Sequence, residues 1–318
     1  MNRSLPGAAL CTTALVATLA ARPAGAEVRP SELIRPADAA GYGPGYGRRV
    51  TSYELEVGFY SDSNDVQDVF LISPLVRVVQ PVRSNEVELA WGFSAFSLTG
   101  PAQSDPSREI DQSTVRLANP YLAYHWVWRE LPYQVRLGVG LTAPAATLRE
   151  ETLNDTLVDV VALGATQAMY GHHDFFLWMP ETMSGVLHAD GYLREHFGLV
   201  YGGQINLANM YGFNDLINEG YNVAVEVAID VAYELDWARF ALRGIYFNAL
   251  TSDADDTDQI SVEPELRFRL GFADLFTRLT MPVDEPAGPA FDDGKIWGAH
   301  IGIGSPTERH LPPPPKGQ

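Results

Sequence analysis

The sequence predicts an all-β chain: a transmembrane antiparallel up-and-down β-barrel of about 12 strands, with a short helix in one extracellular loop. Three observations lead to this fold. Apolar and polar residues alternate strictly along 221–235, where every odd position from Val223 to Leu235 is apolar. No internal run of about 18 apolar residues exists that could form a membrane-spanning helix, and mean hydropathy is −0.08. Short and long connections alternate along the chain.

The hairpin at 221–248 is the element with the clearest pattern. Period-two alternation indicates a strand with two chemically different faces. Strands of soluble proteins usually have about 5–6 residues, whereas a tilted strand that crosses a bilayer needs about 9–11. The two runs here, joined near Asp236, have the longer length. They favour strands that cross a membrane.

The N-terminus has the features of a secretory signal peptide. A positive start at Arg3 is followed by an apolar core and the cleavage motif Ala24-Gly25-Ala26. The single cysteine, Cys11, lies in this segment, so we expect no disulfide in the mature chain, and the residues before it are unfavourable for a lipoprotein. The expected organisation is a signal peptide (1–26), a Gly/Pro-rich periplasmic lead-in (27–49), the barrel (50–304) and a flexible Pro-rich tail (305–318).

Twelve segments have strand patterns. They lie at 50–60, 69–80, 85–98, 114–129, 132–143, 183–193, 196–208, 221–235, 237–249, 259–270, 273–283 and 295–304. Pro264 cannot donate to a β-ladder, so we expect a bulge there. Aromatic girdles are expected at both membrane interfaces, from Trp126, Trp128, Tyr233 and Trp237 at the periplasmic ends and from Tyr121, Tyr246, Phe247 and Trp297 at the other rim.

The connections predict the orientation and the partners. Short turns are periplasmic in bacterial barrels, which leaves 61–68, 99–113, 144–182, 209–220, 250–258 and 284–294 as extracellular loops. These loops contain 22 Asp and Glu but only two basic residues, Arg108 and Arg149. They are either simply solvated or attract cations, such as divalent ions that bridge lipopolysaccharide or a cationic solute. The net charge of −18 argues against nucleic acid as a partner.

Alternation also predicts which charged residues line the lumen. Buried charges need partners, so these residues form either a salt-bridge network that fills the barrel or a polar channel wall. The expected lumen set is Glu54, Glu56, Glu86, Glu88, Arg77, Arg116, Arg136, Glu226, Asp230, Glu234, Arg239, Arg243, Glu263, Glu265, Arg267, Arg269 and Arg278.

Loop 144–182 is expected to contain a helix that starts at Asn154 or Asp155 and ends at Gly171. Its apolar residues at helical spacing should be buried, as a constriction or plug in the barrel mouth, against the outer loops or at the membrane interface. The predicted plug residues are Leu157, Val161, Ala165 and Ala168.

Two other motifs were weighed as sites. His172-His173-Asp174 follows the helix, but adjacent histidines point apart, so an ordinary loop is favoured over a metal site. The run Asp253–Asp258 lacks the Gly and Glu of an EF-hand. We expect no metal and no cofactor. Ser184 and His188, on one strand face about 13 Å apart, are the best pair for an outer-membrane hydrolase, and they are too distant for one.

The strand entry Leu117-Ala118-Asn119-Pro120-Tyr121-Leu122-Ala123-Tyr124 resembles that of the outer-membrane barrel family associated with aromatic-compound (phenol) degradation operons. The resemblance implies uptake of small, often hydrophobic, solutes. It departs at the end of the chain, because the last strand, Trp297–Ile303, is followed by a polar tail instead of a terminal aromatic residue.

The sequence therefore favours a monomeric channel or transporter for passive passage of small solutes, in the outer membrane of a Gram-negative cell and in contact with its lipid and lipopolysaccharide. It does not indicate an enzyme. The alternatives are an outer-membrane lipid-modifying hydrolase and a closed structural or adhesion barrel.

Overall fold

The structure is a computed structural model that describes residues 51–63, 68–102, 105–130, 133–149, 153–194, 198–213, 220–251, 258–284 and 296–305. All of these residues belong to one compact unit. The predicted signal peptide, the lead-in, residues 253–257 of the acidic run and most of the tail lie outside the described residues. No helix in the described part of the chain is long and apolar enough to cross a membrane.

The described residues form a closed antiparallel β-barrel with one short helix, which confirms the predicted fold class. Each strand pairs with the next one along the chain, except that β5 pairs with β3 and not with β4, and β13 pairs with β1 to close the wall. Because β4 and β5 both pair with β3, they share one position, and the wall has twelve positions. The strands are β1 (Ser52–Ser63), β2 (Asp68–Val82), β3 (Asn85–Ala102), β4 (Asp105–Leu117), β5 (Tyr121–Glu130), β6 (Tyr133–Thr142), β7 (Thr182–Arg194), β8 (Leu199–Gly212), β9 (Gly220–Glu234), β10 (Ala238–Ala249), β11 (Asp258–Arg269), β12 (Asp274–Pro282) and β13 (Gly298–Gly304).

The helix α1 (Leu153–Met169) lies in the long connection between β6 and β7 and is followed by a 3-10 turn, Phe175–Leu177. Gly171 ends the helical region as predicted, with φ at +59°, in the left-handed range that glycine adopts without cost. Its amide donates to the Ala168 carbonyl at 2.8 Å. A side chain at this position would collide with Thr280 of β12, so the turn approaches the wall closely.

Two predicted segment boundaries and one predicted bulge were wrong. The strand expected at 114–129 is interrupted at 118–120, because Pro120 has no amide hydrogen for the ladder and Asn119 bonds instead to other segments. The loop expected at 99–113 is mostly strand, since β3 and β4 continue to pair there. Pro264 causes no bulge: its pairing with Leu242 is in register, and only the ladder to β12 lapses beside it.

The outer surface of the wall is apolar. Residues such as Trp91, Leu122 and Leu242 alternate with inward neighbours and are about half exposed. The four aromatic residues predicted at one rim, Trp126, Trp128, Tyr233 and Trp237, are all exposed. The other rim differs from the prediction, because Tyr121 and Phe247 point inward and pack on the 3-10 turn.

Candidate functional site

The predicted lumen residues lie on the inner face of the wall. Arg77, Arg116, Asp230 and Arg278 are partly buried. The remaining thirteen are buried: Glu54, Glu56, Glu86, Glu88, Arg136, Glu226, Glu234, Arg239, Arg243, Glu263, Glu265, Arg267 and Arg269. The barrel interior is therefore a dense layer of charged side chains, most of them shielded from solvent.

Arginines in this layer reach carboxylates on strands that are not their neighbours. Arg267 of β11 lies 3.2 Å from Glu54 of β1, across β12 and β13. Arg278 of β12 bonds Glu56 of β1 across β13. On β13, which lies between them, Gly304 has no side chain to separate Glu54 from Arg267. Glycine on one strand thus allows ion pairs between the strands on either side of it.

Arg239 of β10 is the most enclosed cation, with no exposed surface. It lies 3.2 Å from Glu265, 3.4 Å from Asp230 and 3.8 Å from Glu234. Glu234 also lies 3.2 Å from Arg269. This ladder at the 221–248 hairpin arises because the alternation places an acid or an arginine on the inner face of each strand, and it fills this part of the lumen.

The connection 143–181 between β6 and β7 is here called the plug segment, and its described residues, 143–149 and 153–181, lie against the inner face of the wall. Helix α1 lies against the inner face of β3 and β4, where Thr166 Oγ1 and Ser94 Oγ are 2.7 Å apart. Asp159, fully buried, accepts a 2.6 Å hydrogen bond from Thr114 and lies 3.3 Å from Arg116. These polar contacts therefore determine which face of α1 packs against the wall.

The buried face of α1 therefore differs from the predicted face. Ala165 and Ala168 are buried, but Leu157 and Val161 are 51% and 52% exposed. The inner wall at this level is polar, so the helix turns Asp159 and Thr166 toward it and the two larger aliphatic residues away from it.

Asn119, at the break between β4 and β5, fastens the plug segment to the wall. Its side-chain oxygen accepts hydrogen bonds from the amides of Ala145 and Ala146, both at 2.9 Å. Its side-chain nitrogen donates to the Met179 carbonyl at 2.7 Å, and its own amide donates to the Leu177 carbonyl at 2.7 Å. One buried residue thus holds both ends of the segment.

The 3-10 turn forms an apolar centre that the sequence analysis missed. Phe175, Phe176, Leu177 and Trp178 are at most 1% exposed. Phe176 packs on Tyr121 of the wall with ring centroids 4.9 Å apart, and Trp178 stacks on Tyr170 at 5.5 Å. The four consecutive apolar residues were the available sign of burial, but they fell in a segment expected to be loop.

Polar contacts hold the tip of the plug segment. Arg77 of β2 pairs with Asp174, and Glu226 of β9 accepts from the Asp174 amide at 2.9 Å. Burial would raise the pKa of Asp174, but the charges of Arg77 and His173 and the hydrogen bond from Arg77 outweigh it and lower the pKa to about 2. His172 stacks on Phe247 at 4.8 Å, and burial lowers its pKa to about 4.

A small cavity lies beneath the plug segment. It measures about 30 Å³, lies between the segment and the charged wall, and is lined by residues that include Arg77, Tyr170, His173, Asp174 and Trp178. A buried water needs roughly 10–15 Å³ measured in this way, so the cavity has room for two or three waters.

The residues weighed for hydrolysis do not form a nucleophile–base pair. Ser184 is buried and its amide donates to Thr142. His188 instead contacts Asp190, lies 2.6 Å from Asn206 Oδ1 and lies 3.5 Å from Arg136. A catalytic serine needs a base within hydrogen-bond reach, and His188 does not serve Ser184 in that way.

No protein-family model matches the sequence, and no curated protein matches it. Among solved structures, the COG4313 outer membrane channel from Pseudomonas putida F1 is similar over 88% of this chain and 99% of that chain, with a TM-score of 0.54 and 12% identity. The NanC porin is similar over 80% and 98%, with a TM-score of 0.45 and 9% identity. The similarity to the COG4313 channel shows that the chain has the fold of an outer-membrane β-barrel.

Proposed function

We propose that the protein is an outer-membrane channel for small solutes whose lumen is closed by the plug segment and opens when that segment moves. One observation carries the proposal: a loop segment lies inside the barrel, in contact with the inner face of the wall. The segment is held by side-chain and turn contacts from Ser94, Asn119, Arg77 and Glu226, whereas the wall is held by continuous β-ladders. Movement of the segment leaves the barrel intact.

The cavity chemistry supports a solute with both an apolar and a polar part. Tyr170, Leu177 and Trp178 line one side, and Arg77, Arg136 and Arg278 are among the charged residues that line the other. The resemblance at Leu117–Tyr124 to barrels of aromatic-compound degradation operons points in the same direction. Residence in the outer membrane of a Gram-negative cell, as a monomer in contact with lipopolysaccharide, with divalent cations at the acidic loops, belongs to this proposal.

Conductance of a plug-deleted variant tests the proposal. The Ala146 carbonyl and the Glu181 amide are 2.8 Å apart, and Glu181 Oε1 accepts from the Leu148 amide, so a short Gly-Ser linker between Arg149 and Glu181 can replace 150–180. We expect larger and more frequent openings in planar bilayers than for the full chain. The full-length wild-type protein, refolded in the same way, is the control.

A closed structural barrel is the competing function, and the paired charges of the lumen favour it. Arg239, Arg267 and Arg269 each contact at least one buried carboxylate, so the wall network itself fills much of the interior. A plug-deleted barrel that folds, shown by heat-modifiable migration, but never conducts would establish the structural alternative and reject the channel.

A further inference from the structure

We propose that His173, Asp174 and Glu226 form a binding site for one divalent transition-metal ion, with Zn²⁺ the best match. One ligand atom from each residue lies within 4.8 Å of the other two. His173 Nδ1 is 2.8 Å from Glu226 Oε1, and His173 Nε2 is 3.3 Å from Asp174 Oδ2. The two nitrogens of an imidazole face opposite ways, so His173 can offer only one of them to the ion, and the carboxylate at the other nitrogen has to turn toward it. Tetrahedral zinc with bonds of about 2.0–2.2 Å holds its ligand atoms roughly 3.4 Å apart, so the three groups, which lie within 4.8 Å of one another, move closer together when the ion binds.

The electrostatics of the cluster favour a cation. Asp174 has Arg77 as a partner, whereas the groups seen to act on Glu226 as possible cations are two histidines: His173, 2.8 Å away, and His172, which interacts with it electrostatically. The other contacts of Glu226 are neutral donors: the Asp174 amide, Asn206 and Gln204. A carboxylate with no exposed surface is costly to keep ionised without a cation. A metal ion would supply that charge.

The surroundings orient the ligands. Arg77 lies 2.5 Å from Glu88 and holds Asp174 from the wall side. Asn206 and the Asp174 amide fix the Glu226 carboxylate from β8 and from the turn. Hydrogen bonds of this kind, which set the direction of metal ligands, are typical of protein metal sites.

The backbone of the turn explains why the site was rejected from sequence. His172 and Asp174 both have left-handed φ values, 60° and 50°. The bend sends His172 to stack on Phe247, the cross-strand partner of Glu226, and turns His173 toward the Glu226 carboxylate on β9. The two histidines do point apart, as expected, but the third ligand comes from Glu226, more than fifty residues further along the chain.

The cavity provides the remaining coordination position. His173 and Asp174 both line the space of about 30 Å³ beneath the plug segment, which is large enough for a water ligand. One imidazole nitrogen, two carboxylate oxygens and a water suit zinc or cobalt, whereas Ca²⁺ and Mg²⁺ prefer oxygen-only sites. The bound ion would join the tip of the plug segment to β9.

Isothermal titration of the untagged full chain in detergent with ZnCl₂, and Co²⁺ absorption as a second measurement, test the site. We expect one ion per chain. Because changes to groups that only support a metal ligand cost about 10–100-fold in affinity, His173→Ala and Glu226→Gln should each weaken binding at least tenfold. Glu226→Gln keeps an acceptor for the Asp174 amide, which separates loss of a ligand from loss of the turn.

His172→Phe is the matched control, since it removes the neighbouring imidazole but keeps a ring to stack on Phe247. It should bind Zn²⁺ like the wild type. The proposal would be overturned by no stoichiometric binding, by unchanged binding in His173→Ala, or by equal loss in His172→Phe. The cluster would then be a His173 side chain that contacts two carboxylates. Because metal binding is measured without conductance, failure of the metal-site proposal is distinguishable from failure of the channel proposal.

Discussion

Arg77 of β2 hydrogen-bonds Asp174 of the plug segment, and the same guanidinium lies 2.5 Å from Glu88 of β3. The contact joins a strand of the barrel wall to the tip of the plug segment. Both side chains are largely buried, so the pair is not weakened by water as a surface pair would be.

Asp174→Asn should loosen the plug segment. Breaking a buried ion pair by removing one partner costs about 3–5 kcal/mol, and the cost here should lie below that range because Arg77 keeps Glu88 as a partner. We expect the open probability in planar bilayers to rise strongly. Asp155→Asn is the control, because the Arg149–Asp155 pair is about a third exposed, with atoms 3.8 Å apart, and exposed pairs are worth about 0–1 kcal/mol. Equal effects of the two variants would contradict a latch at Asp174.

Two glycines of the plug segment should respond oppositely to alanine. Gly171 has φ +59°, and an added Cβ would lie 2.6 Å from Thr280 Cγ2, so Gly171→Ala should destabilise the docked segment by at least about 1–2 kcal/mol. Gly164 lies within α1 with nothing within 4 Å of a Cβ, and Gly164→Ala should stabilise the helix by about 0.5–1 kcal/mol. The rate of limited proteolysis within 150–180 measures both changes. Faster cleavage of Gly164→Ala would refute this account of the helix.

Arg239→Ala should destabilise the wall itself. The substitution leaves Asp230, Glu234 and Glu265 without a cation that they share, at a cost of about 3–5 kcal/mol. We expect a lower temperature for the loss of heat-modifiable migration. Arg83→Gln, in the exposed turn between β2 and β3, should leave that temperature unchanged.

Acid should favour release of the plug segment through His172. Burial lowers the pKa of His172 to about 4, against about 6.5 for a free imidazole. The released state therefore binds more protons, so the docked state is fully favoured above pH ~6.5 and loses stability as pH falls from ~6.5 to ~4. Asp174, with its pKa near 2, stays ionised throughout that interval. Conductance should rise with acid in the wild type and less in His172→Phe; identical pH profiles would exclude His172 as the cause.

The wall could be predicted from sequence because each strand carries its own pattern. The alternation in β9 and β10 separates Val227 and Ile229 from Glu226 and Asp230 without knowledge of any other strand. The break at Asn119 was missed although Pro120 was a local sign of it, whereas the bonds from Asn119 to Ala145 and Met179, which are distant in the chain, could not be predicted in this way.

The candidate site was only half predictable for the same reason. Periodicity assigned Glu226 to the lumen, but nothing local to β9 indicates that His173 would face it. The buried face of α1 could not be predicted from the local pattern either. The wall beside the helix is polar, so Asp159 and Thr166 face it, whereas Leu157 and Val161 are exposed. Contacts between the plug segment and the wall are tertiary, and hydrophobic periodicity carries no information about them.

A reversible disulfide between α1 and the wall tests the central claim most directly. Ser94 Oγ and Thr166 Oγ1 are 2.7 Å apart, and the only native cysteine, Cys11, lies in the predicted signal peptide, so Ser94→Cys with Thr166→Cys can form a single cross-link. Single-channel recording should show few openings in the oxidised protein and a return to wild-type openings after reduction. Equal conductance in the oxidised and reduced states would contradict gating by the plug segment.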